Sequence, residues 1–406
     1  ARNGISMARP TLGIGVFGQW AGSGMRNANL QIARPPQWHY RLPWFMTADE
    51  SGDLVGTEDS QAIQDARLHK CYSAGIDYYI MWGIGVDPEF PMTGDGNMDG
   101  FVGDQHWAGF NAPLYYYLRS DYKDMMPYAL VTGIGCMGRI GRFNAYGSLA
   151  GANPSDWAHQ RDWLIERMQD SNYFKVDATG QGGYADQPLL YFFTPESTRT
   201  LNYVGDAAAM KTDLDDLVTR ANAVGVYPYI VAWGDKGSTT FAWSAQGNYG
   251  VGPSGGSAGE TYSALRTRQA ATWTASLTGL PGTVPNCTVG QDYRCIANTA
   301  GYPNSYVLDA DPTNQANAND TPNWVVQPTP AELAAHVLDA FAFVEANAKC
   351  YVRTVSLYAL TENLEGTIGL DPTASGGAYL QALSNILGQR DPKGVYRRRG
   401  MAIKTR

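Results

Sequence analysis

Charge, cysteine and long apolar runs are all scarce in this sequence. Charged residues make up 17 % of its 406 residues, against roughly a quarter in an average globular protein. Lysine and arginine number 30 against 38 aspartates and glutamates, which gives a formal net charge of −8. An acidic chain repels polyanions, so this balance argues against nucleic acid or an anionic membrane surface as the main partner. No apolar run reaches the ~20 residues that a bilayer-spanning helix needs, so we expect no membrane span.

The signatures of common metal and cofactor sites are also missing. The sequence contains no CxxC, no HExxH and no spacing of cysteines and histidines that is typical of zinc binding. No turn between an apolar run and a helical pattern carries GxGxxG or a Walker loop, which argues against a dinucleotide or a nucleoside triphosphate as ligand. We therefore expect no required cofactor.

The five cysteines are few for this length. Cys71 and Cys350 lie in helical patterns and Cys136 follows an apolar run, which is typical of buried free thiols. Cys287 and Cys295 flank a short polar segment, where either a small disulfide or two free thiols fits the sequence.

Glycine, proline and aromatic residues are, in contrast, abundant. The chain holds 46 glycines, 22 prolines, 11 tryptophans and 25 tyrosines. Apolar residues make up 44 % of it, enough to fill a sizeable core and to exclude global disorder. A loop-rich, aromatic-rich and weakly charged chain suits the handling of neutral sugars.

Short apolar runs alternate with helical patterns along the chain. Strands are predicted over residues 11–18, 75–83, 127–135, 187–194, 226–233, 282–289 and 353–360. Helices are predicted over residues 60–73, 112–120, 155–169, 206–224, 330–348 and 378–387. Continuous apolar runs indicate parallel strands that are buried on both faces. A doubly wound sheet also fits this alternation but lacks its usual phosphate loop, so we predict a (β/α)8 TIM barrel.

One strand of that barrel is not evident, and residues 174–177 or 306–308 could supply it. We predict one barrel domain over residues 1–406, with irregular insertions at about 87–109, 234–259 and 286–328. These insertions follow predicted strands, which places them on the C-terminal face of a barrel, where active sites lie.

The end of the last predicted strand carries two acids, Glu362 and Glu365. Glycosidic cleavage uses a pair of carboxylates, one to protonate the leaving oxygen and one to act as base or nucleophile. Close carboxylates also raise the pKa of one of them, which keeps a proton available near neutral pH. The same ExxE spacing is common on solvated helix faces. The position of Glu362 and Glu365 directly after an apolar strand is what favours a catalytic role over a solvated helix face.

Residues 361–372, TENLEGTIGLDP, resemble the NEWxEGxxxEP signature of the glycoside hydrolase family 99-like proteins, which include endo-α-mannosidases and WbsX-type proteins. Residues 39–43, 64–82, 173–193 and 377–387 are similar to further segments of that group. The resemblance implies that Glu365 is the general acid/base. It also implies that Glu362 assists the 2-hydroxyl of the substrate through an anhydro-sugar intermediate. Thr361 and Asn363 depart from the signature beside Glu362, and Asp371 takes the place of its later acid, in a structural or a catalytic role.

Three tryptophans, Trp20, Trp82 and Trp233, stand at the ends of predicted strands. Aromatic rings there can stack on sugar rings and donate hydrogen bonds to hydroxyls, although packing at the barrel rim fits them equally. Asp235, just beyond Trp233, and His39, in the first loop, are candidates for contacts with sugar hydroxyls.

A possible calcium loop follows the second predicted strand. Asp95, Asn97 and Asp99 match the DxNxDG start of such loops, with oxygen ligands at alternate positions. His106 stands where the bidentate glutamate belongs, and Asp104 could substitute for it. Either a structural Ca²⁺ or an Asp/Gly turn without metal fits this segment.

We expect a glycoside hydrolase, a retaining endo-acting enzyme on a neutral α-linked, mannan-like polysaccharide or surface glycan. The alternative is a non-catalytic glycan-binding or assembly protein on the same barrel, such as a surface, appendage or virion decoration module. A homo-oligomer or a larger assembly fits either function. We expect an extracellular, cell-surface or virion-surface location, although the first ten residues do not resemble a signal peptide.

Overall fold

The structure is a computed structural model. It describes residues 11–15, 36–50, 54–55, 60–83, 114, 116–133, 154–203, 205–237, 239–248, 251–252, 254, 258–292, 324–360, 369–372, 375–390 and 396–397.

Strands and helices alternate along the described chain. The strands are Thr11–Gly15 (β1), Thr47–Ala48 (β2), Leu54–Val55 (β3), Tyr78–Trp82 (β4), Tyr128–Gly133 (β5), Lys175–Val176 (β6), Gln187–Phe193 (β7), Tyr229–Trp233 (β8), Ala245–Gly247 (β9), Gly282–Val284 (β10), Asn286–Thr288 (β11), Thr354–Tyr358 (β12), Gln389–Arg390 (β13) and Tyr396–Arg397 (β14). The helices are Gln61–Ser73 (α1), Pro154–Met168 (α2), Pro195–Asn202 (α3), Ala207–Ala223 (α4), Tyr262–Gly279 (α5), Pro330–Ala346 (α6) and Ala378–Leu387 (α7).

The main sheet is a closed ring of parallel strands. Its hydrogen-bonded order is β10-β9-β8-β7-β5-β4-β1-β12-β11, and every pairing along it is parallel. The two ends of this order, β10 and β11, are separated only by Pro285, and Ser356 of β12 donates its N–H to the carbonyl of Pro285 at 3.0 Å. The order therefore closes on itself with eight strand positions, and the predicted TIM barrel is confirmed.

Successive side chains of a strand point to opposite faces, and here both faces are apolar. Tyr78 and Ile80 of β4 lie in the cluster that fills the barrel, whereas Tyr79 and Met81 pack in the layer between strands and helices. Burial on both faces explains why the strands appear in the sequence as continuous apolar runs.

Three helices, α4, α5 and α6, begin at polar caps on the edge where the strands end. The Asp206 carboxylate accepts the N–H groups of Ala208 and Ala209 at the start of α4. Thr261 caps α5, and Thr329 forms a reciprocal capping box with Glu332 at the start of α6. Because each helix runs antiparallel to its strand, residues just before these caps lie at the C-terminal edge of the barrel.

The strand that the sequence does not reveal is β9, Ala245–Gly247. It lies inside residues 234–259, a stretch expected to be irregular, and it is too short to form an apolar run. Residues 174–177 do contain a strand, β6, but it pairs antiparallel with β7 and lies outside the ring. Residues 306–308 lie outside the described part of the chain.

Helix α5 is a second departure from expectation. Its buried side chains are Tyr262, Leu265, Gln269, Trp273 and Ser276. Two polar residues interrupt this buried stripe, so the apolar period of a helix is weak in the sequence. The Gln269 side-chain Nε2 donates to the Asn286 side-chain oxygen at 2.8 Å, which offsets part of the cost of burying a polar residue there.

Cys71, Cys287 and Cys350 carry buried free thiols, while Cys136 and Cys295 lie outside the described residues. Within the described part, no helix has both the length and the apolar character needed to cross a bilayer.

Candidate active site

The C-terminal ends of the eight barrel strands meet at one edge, because all of them are parallel. The last residues of these strands are Gly15, Trp82, Gly133, Phe193, Trp233, Gly247, Thr288 and Tyr358. In (β/α)8 enzymes this edge and the loops that follow it carry the catalytic groups. We therefore look for the candidate site at this edge and in the loops that follow it.

The segment with the two predicted acids begins and ends beside β12. Tyr358, Ala359 and Leu360 continue this strand and are buried. Leu370, also buried, donates its N–H to the carbonyl of Leu360 at 3.0 Å. Residues 361–368, with Glu362 and Glu365, lie outside the described residues, but both flanks of this segment are fixed at the C-terminal edge.

Asp371, next to Leu370, contacts two other parts of the chain, α1 and the loop after β1. Its carboxylate accepts a hydrogen bond from the Lys70 ammonium of α1 at 2.6 Å and is 3 % exposed. Its backbone carbonyl accepts the N–H of Trp44 at 3.2 Å. Lys70 in turn lies 4.0 Å from the centre of the Trp44 ring, a cation–π geometry.

A second connection links the loop after β1 to the loop after β11. The Arg41 guanidinium donates to the backbone carbonyl of Asp292 at 2.9 Å, and the Tyr40 hydroxyl donates to its carboxylate at 3.1 Å. Arg41 and Asp292 are both buried. His39, a predicted sugar-binding residue, is half-buried next to Tyr40 in the same 3-10 turn. The structure thus brings His39 to the side of the edge where β11 and β12 end.

The loops after β9 and β11 are also joined. Glu260 donates its N–H to the carbonyl of Trp324 at 2.7 Å, and Asp292 forms an antiparallel bridge with Trp324. Burial raises the pKa of the Glu260 carboxyl, but hydrogen bonds from Arg268 at 2.6 and 2.8 Å and from Ser254 outweigh it and leave that pKa below its ordinary value. Glu260 is therefore an ionised structural anchor.

Asp235 lies in the loop after β8, three strand positions from β12 around the ring. Its side chain is exposed, and one carboxylate oxygen accepts the N–H of Gly237 at 2.8 Å. Its backbone carbonyl accepts the N–H of Glu196 at 3.0 Å. The carboxylate is accessible, so a contact with a sugar hydroxyl stays a prediction for Asp235.

Trp82 and Trp233 end β4 and β8, as expected. The Trp233 side chain has no exposed surface, and its ring centre lies 4.9 Å from that of Tyr191 inside the barrel. Below it, the Tyr191 and Tyr78 hydroxyls are 2.8 Å apart, and burial raises the pKa of Tyr78 to about 12. Trp233 therefore packs the top of the barrel interior, and a contact with a sugar stays a prediction for both tryptophans.

Several predicted residues lie outside the described chain. They are Trp20 and the four candidate calcium ligands Asp95, Asn97, Asp99 and Asp104. In the part that the structure does describe, no three His, Cys, Asp or Glu side chains are grouped to hold a metal ion. The calcium loop stays a prediction.

Four residues at this edge were not predicted from the sequence, namely Arg41, Asp292, Glu260 and Trp324. Lys70, in the last turn of α1, was also not predicted as a partner of Asp371. Trp324 is half-buried, and its ring occupies the space where a side chain of residue 259 would lie, since a Cβ built on Gly259 would be 2.4 Å from it. Gly259, two residues before the Thr261 cap and with φ +76°, is the one sequence feature that fits this tight approach.

No protein-family model and no curated protein matches the sequence. Among solved structures, the chain is similar to a glycoside hydrolase-like protein at 12 % identity, with 93 % of each chain covered and a TM-score of 0.47. It is also similar to the GH99 endo-alpha-mannosidase from Bacteroides thetaiotaomicron in complex with bis-tris-propane at 10 % identity, with 92 % of this chain and 94 % of that chain covered and a TM-score of 0.45. A second structure of that enzyme covers 81 % of this chain and 74 % of its own, at 10 % identity and a TM-score of 0.40.

Two of these three solved structures are of a GH99 endo-alpha-mannosidase. All three TM-scores lie below 0.5.

Proposed function

We propose that this protein is a retaining endo-glycosidase that cleaves a neutral, α-linked, mannan-like polysaccharide or surface glycan. The observation that carries the proposal is the hydrogen bond between Leu370 and Leu360 at the C-terminal end of β12. Glu362 and Glu365 are carboxylates in the sequence between these two residues.

The proposed roles follow the family resemblance and the chemistry of carboxylates. Glu365 gives its proton to the glycosidic oxygen as the bond to C1 breaks. Glu362 removes the proton of the substrate 2-hydroxyl, whose oxygen bonds to C1 and forms an anhydro sugar. Water then attacks C1 and the bond between C1 and the 2-oxygen breaks, Glu365 accepts the proton of that water, and the 2-oxygen regains its proton from Glu362. Two inversions at C1 give net retention.

Three features of the described chain support a neutral glycan as substrate. The net charge is −8, which disfavours polyanions. Half-buried aromatic side chains, Tyr40 and Trp324, lie on loops at the same edge as the β12 end. Asp235 presents an accessible carboxylate on the other side of the edge, and carboxylates bind sugar hydroxyls by charge-assisted hydrogen bonds.

The test is the release of oligosaccharides from α-mannans and bacterial surface glycans by wild type, Glu365→Gln and Glu362→Gln. We expect each variant to lose at least about 100-fold in kcat, the usual contribution of a general acid or base, and to keep its thermal unfolding midpoint. Glu166→Gln is the matched control, because this exposed glutamate lies on α2 and, among the described residues, forms its ion pair with the neighbouring Arg167.

A wild-type protein that binds these glycans but releases nothing would overturn the enzyme and support the glycan-binding alternative. Full activity of Glu365→Gln would refute its role. Analysis of the first-formed product by NMR decides the stereochemistry, and an inverted anomer would contradict the retaining mechanism.

A further inference from the structure

We propose that Tyr184 and Tyr227, which stack on each other at the N-terminal face of the barrel, form a second glycan-binding site. A neutral sugar would stack there on the open face of the Tyr184 ring. The inference rests on the proposed function only for the choice of an α-mannan as the probe. We call these two residues the tyrosine platform.

Both tyrosines lie just before strands that are neighbours in the ring. Tyr184 precedes β7, which begins at Gln187, and Tyr227 precedes β8, which begins at Tyr229. Because β7 and β8 pair in parallel, their beginnings meet at the N-terminal face. The seven residues of β7 span about 20 Å along the strand. A ligand on the platform is therefore separate from one bound at the C-terminal edge.

The outer ring of the platform is open to solvent. The two ring centres lie 4.0 Å apart, with an interplanar angle of 26°. Tyr184 is 55 % exposed although one face of its ring is covered by Tyr227, which is half-buried. The exposed surface of Tyr184 is therefore its other face and its edge. An open aromatic face of this kind can stack on the apolar C–H face of a sugar ring.

A buried glutamine fixes the two tyrosines relative to each other. The Gln187 side-chain oxygen accepts the N–H of Tyr184 at 3.3 Å, and its Nε2 donates to the carbonyl of Tyr227 at 3.0 Å. Gly183 leaves room for this side chain, because a Cβ there would lie 2.5 Å from the Gln187 oxygen. The Ala178 N–H also donates to the carbonyl of Tyr184 at 3.1 Å. A platform held in this way loses little conformational freedom when a ligand binds.

The charged side chains near the platform favour a neutral ligand. Asp186 is exposed two residues after Tyr184, and Asp177 is exposed opposite it, one position beyond the last pair of the β6–β7 hairpin. Lys175 balances only one of these two acids. Carboxylates bind sugar hydroxyls by charge-assisted hydrogen bonds, and an excess of them repels a polyanion.

The size of the apolar area argues for a sugar over a protein partner. One further exposed apolar side chain, Val224, lies three residues before Tyr227. Two stacked rings and one valine are far smaller than the roughly 800 Å² per partner that a stable protein interface buries. A second copy of this chain is therefore a poorer occupant than a sugar residue of a glycan.

A site at this face would hold a polymer without touching the bond that is cleaved. A polysaccharide bound there stays near the protein, which raises its effective concentration at the C-terminal edge. A short oligosaccharide cannot occupy both ends of a barrel. We therefore expect the platform to affect the polymer and not the short substrate.

The experiment measures the Kd for soluble α-mannan by affinity electrophoresis of wild type, Tyr184→Ala and Tyr184→Phe. We expect Tyr184→Ala to raise Kd at least about fivefold, the change that one stacked ring supplies. Tyr184→Phe keeps the ring and should retain most of the affinity. Initial rates should show a higher KM for α-mannan in Tyr184→Ala, with kcat/KM for a mannotetraose unchanged.

Leu338→Ala is the matched control, because Leu338 is an apolar side chain of similar exposure, 47 %, on α6. It should leave the Kd for α-mannan unchanged. Polygalacturonate is the control ligand, and the acids beside the platform should weaken its binding at least about tenfold relative to α-mannan. Equal affinity for the two polymers would contradict the assignment of a neutral ligand.

The outcomes separate this site from the proposed function. An unchanged Kd in folded Tyr184→Ala, or a wild type that does not bind α-mannan, would overturn the site whether or not the protein cleaves glycans. Self-association that Tyr184→Ala abolishes would also overturn it and identify a second copy as the occupant. Weaker binding by Tyr184→Ala in a protein whose wild type cleaves nothing would support the site and overturn the proposed function.

Discussion

His336 should make the stability of this barrel depend steeply on pH below neutrality. The side chain, on α6, has no exposed surface. Its Nδ1 lies 2.9 Å from the Tyr262 hydroxyl, which itself donates to the carbonyl of Thr288 at 2.6 Å. The hydroxyl has only one proton, so Nδ1 must be the donor to it, and Nε2 is a buried atom with no hydrogen-bond partner among the described residues.

Protonation would place a positive charge at that buried nitrogen. Burial and then the nearby Arg266 lower the pKa of His336 from 6.5 to about 4, while Asp339, which forms an ion pair with Arg266, opposes this only in part. Between pH 6.5 and about pH 4, His336 is therefore protonated in the unfolded chain but not in the folded chain. The stability from neutral His336 is complete above pH 6.5 and is lost as the pH falls towards 4.

The magnitude follows from linkage at about 1.4 kcal/mol per pKa unit. The full loss is about 3 kcal/mol, of which about 2 kcal/mol falls between pH 7 and pH 5. The assay is urea unfolding at both pH values for wild type and His336→Phe. Phenylalanine can keep the stacking on Trp273 but cannot titrate, so its loss of stability between the two pH values should be about 2 kcal/mol smaller.

Val337→Ala is the control, because Val337 is buried on the same helix and does not titrate. It should lower the free energy of unfolding by about 2 kcal/mol at both pH values and leave the pH dependence unchanged. Equal pH dependence in wild type and His336→Phe would refute the reasoning, since no other change separates these two proteins.

Two further predictions concern local geometry at the loops of the candidate site. Gly259→Ala should cost roughly 2 kcal/mol and shift tryptophan emission, because φ is +76° and the new Cβ would lie 2.4 Å from the Trp324 ring. Gly225→Ala, with φ +80° and no atom within 4 Å of its Cβ, isolates the backbone cost. Equal effects at the two positions would contradict the clash. Thr329→Ala should lower stability by about 1 kcal/mol through loss of the capping box of α6. Thr329→Ser, which keeps the hydroxyl, should recover most of that, and an unaltered urea midpoint in the alanine variant would show the cap to be unimportant.

The barrel could be predicted from sequence because its strands are apolar on both faces. In β4, Tyr78 and Ile80 face the interior while Tyr79 and Met81 face the helices, which produces an unbroken run rather than alternation. The same logic fails at Ala245–Gly247, where three residues complete the ring through backbone pairing with Val231 and its neighbours. Backbone hydrogen bonds do not depend on side-chain type, so the pattern of apolar residues does not indicate a strand of this kind.

The residues of the candidate site likewise differ in how far the sequence indicates them. Glu362 and Glu365 stay a prediction, which rests on their position directly after an apolar strand and on the resemblance of residues 361–372. Lys70 and Asp371 are 301 residues apart in sequence, and Arg41 and Asp292 are 251 apart. Such pairs are brought together only by closure of the ring, which places β12 beside β1 and β11. No local spacing encodes them, and for that reason the sequence analysis assigned no partner to Asp371.

The residue types at the ends of the described strands limit where catalytic groups can lie. None of the eight terminal residues of the barrel strands, from Gly15 to Tyr358, is a carboxylate or a histidine. Glycosidic cleavage requires carboxyl groups in almost every known form, so an enzyme on this barrel must draw them from the loops beyond those ends. Loops are less firmly positioned than strands, and a catalytic carboxylate on a loop therefore needs fixed flanks. The hydrogen bond from Leu370 to Leu360 joins described residues on either side of the stretch of sequence that contains Glu362 and Glu365.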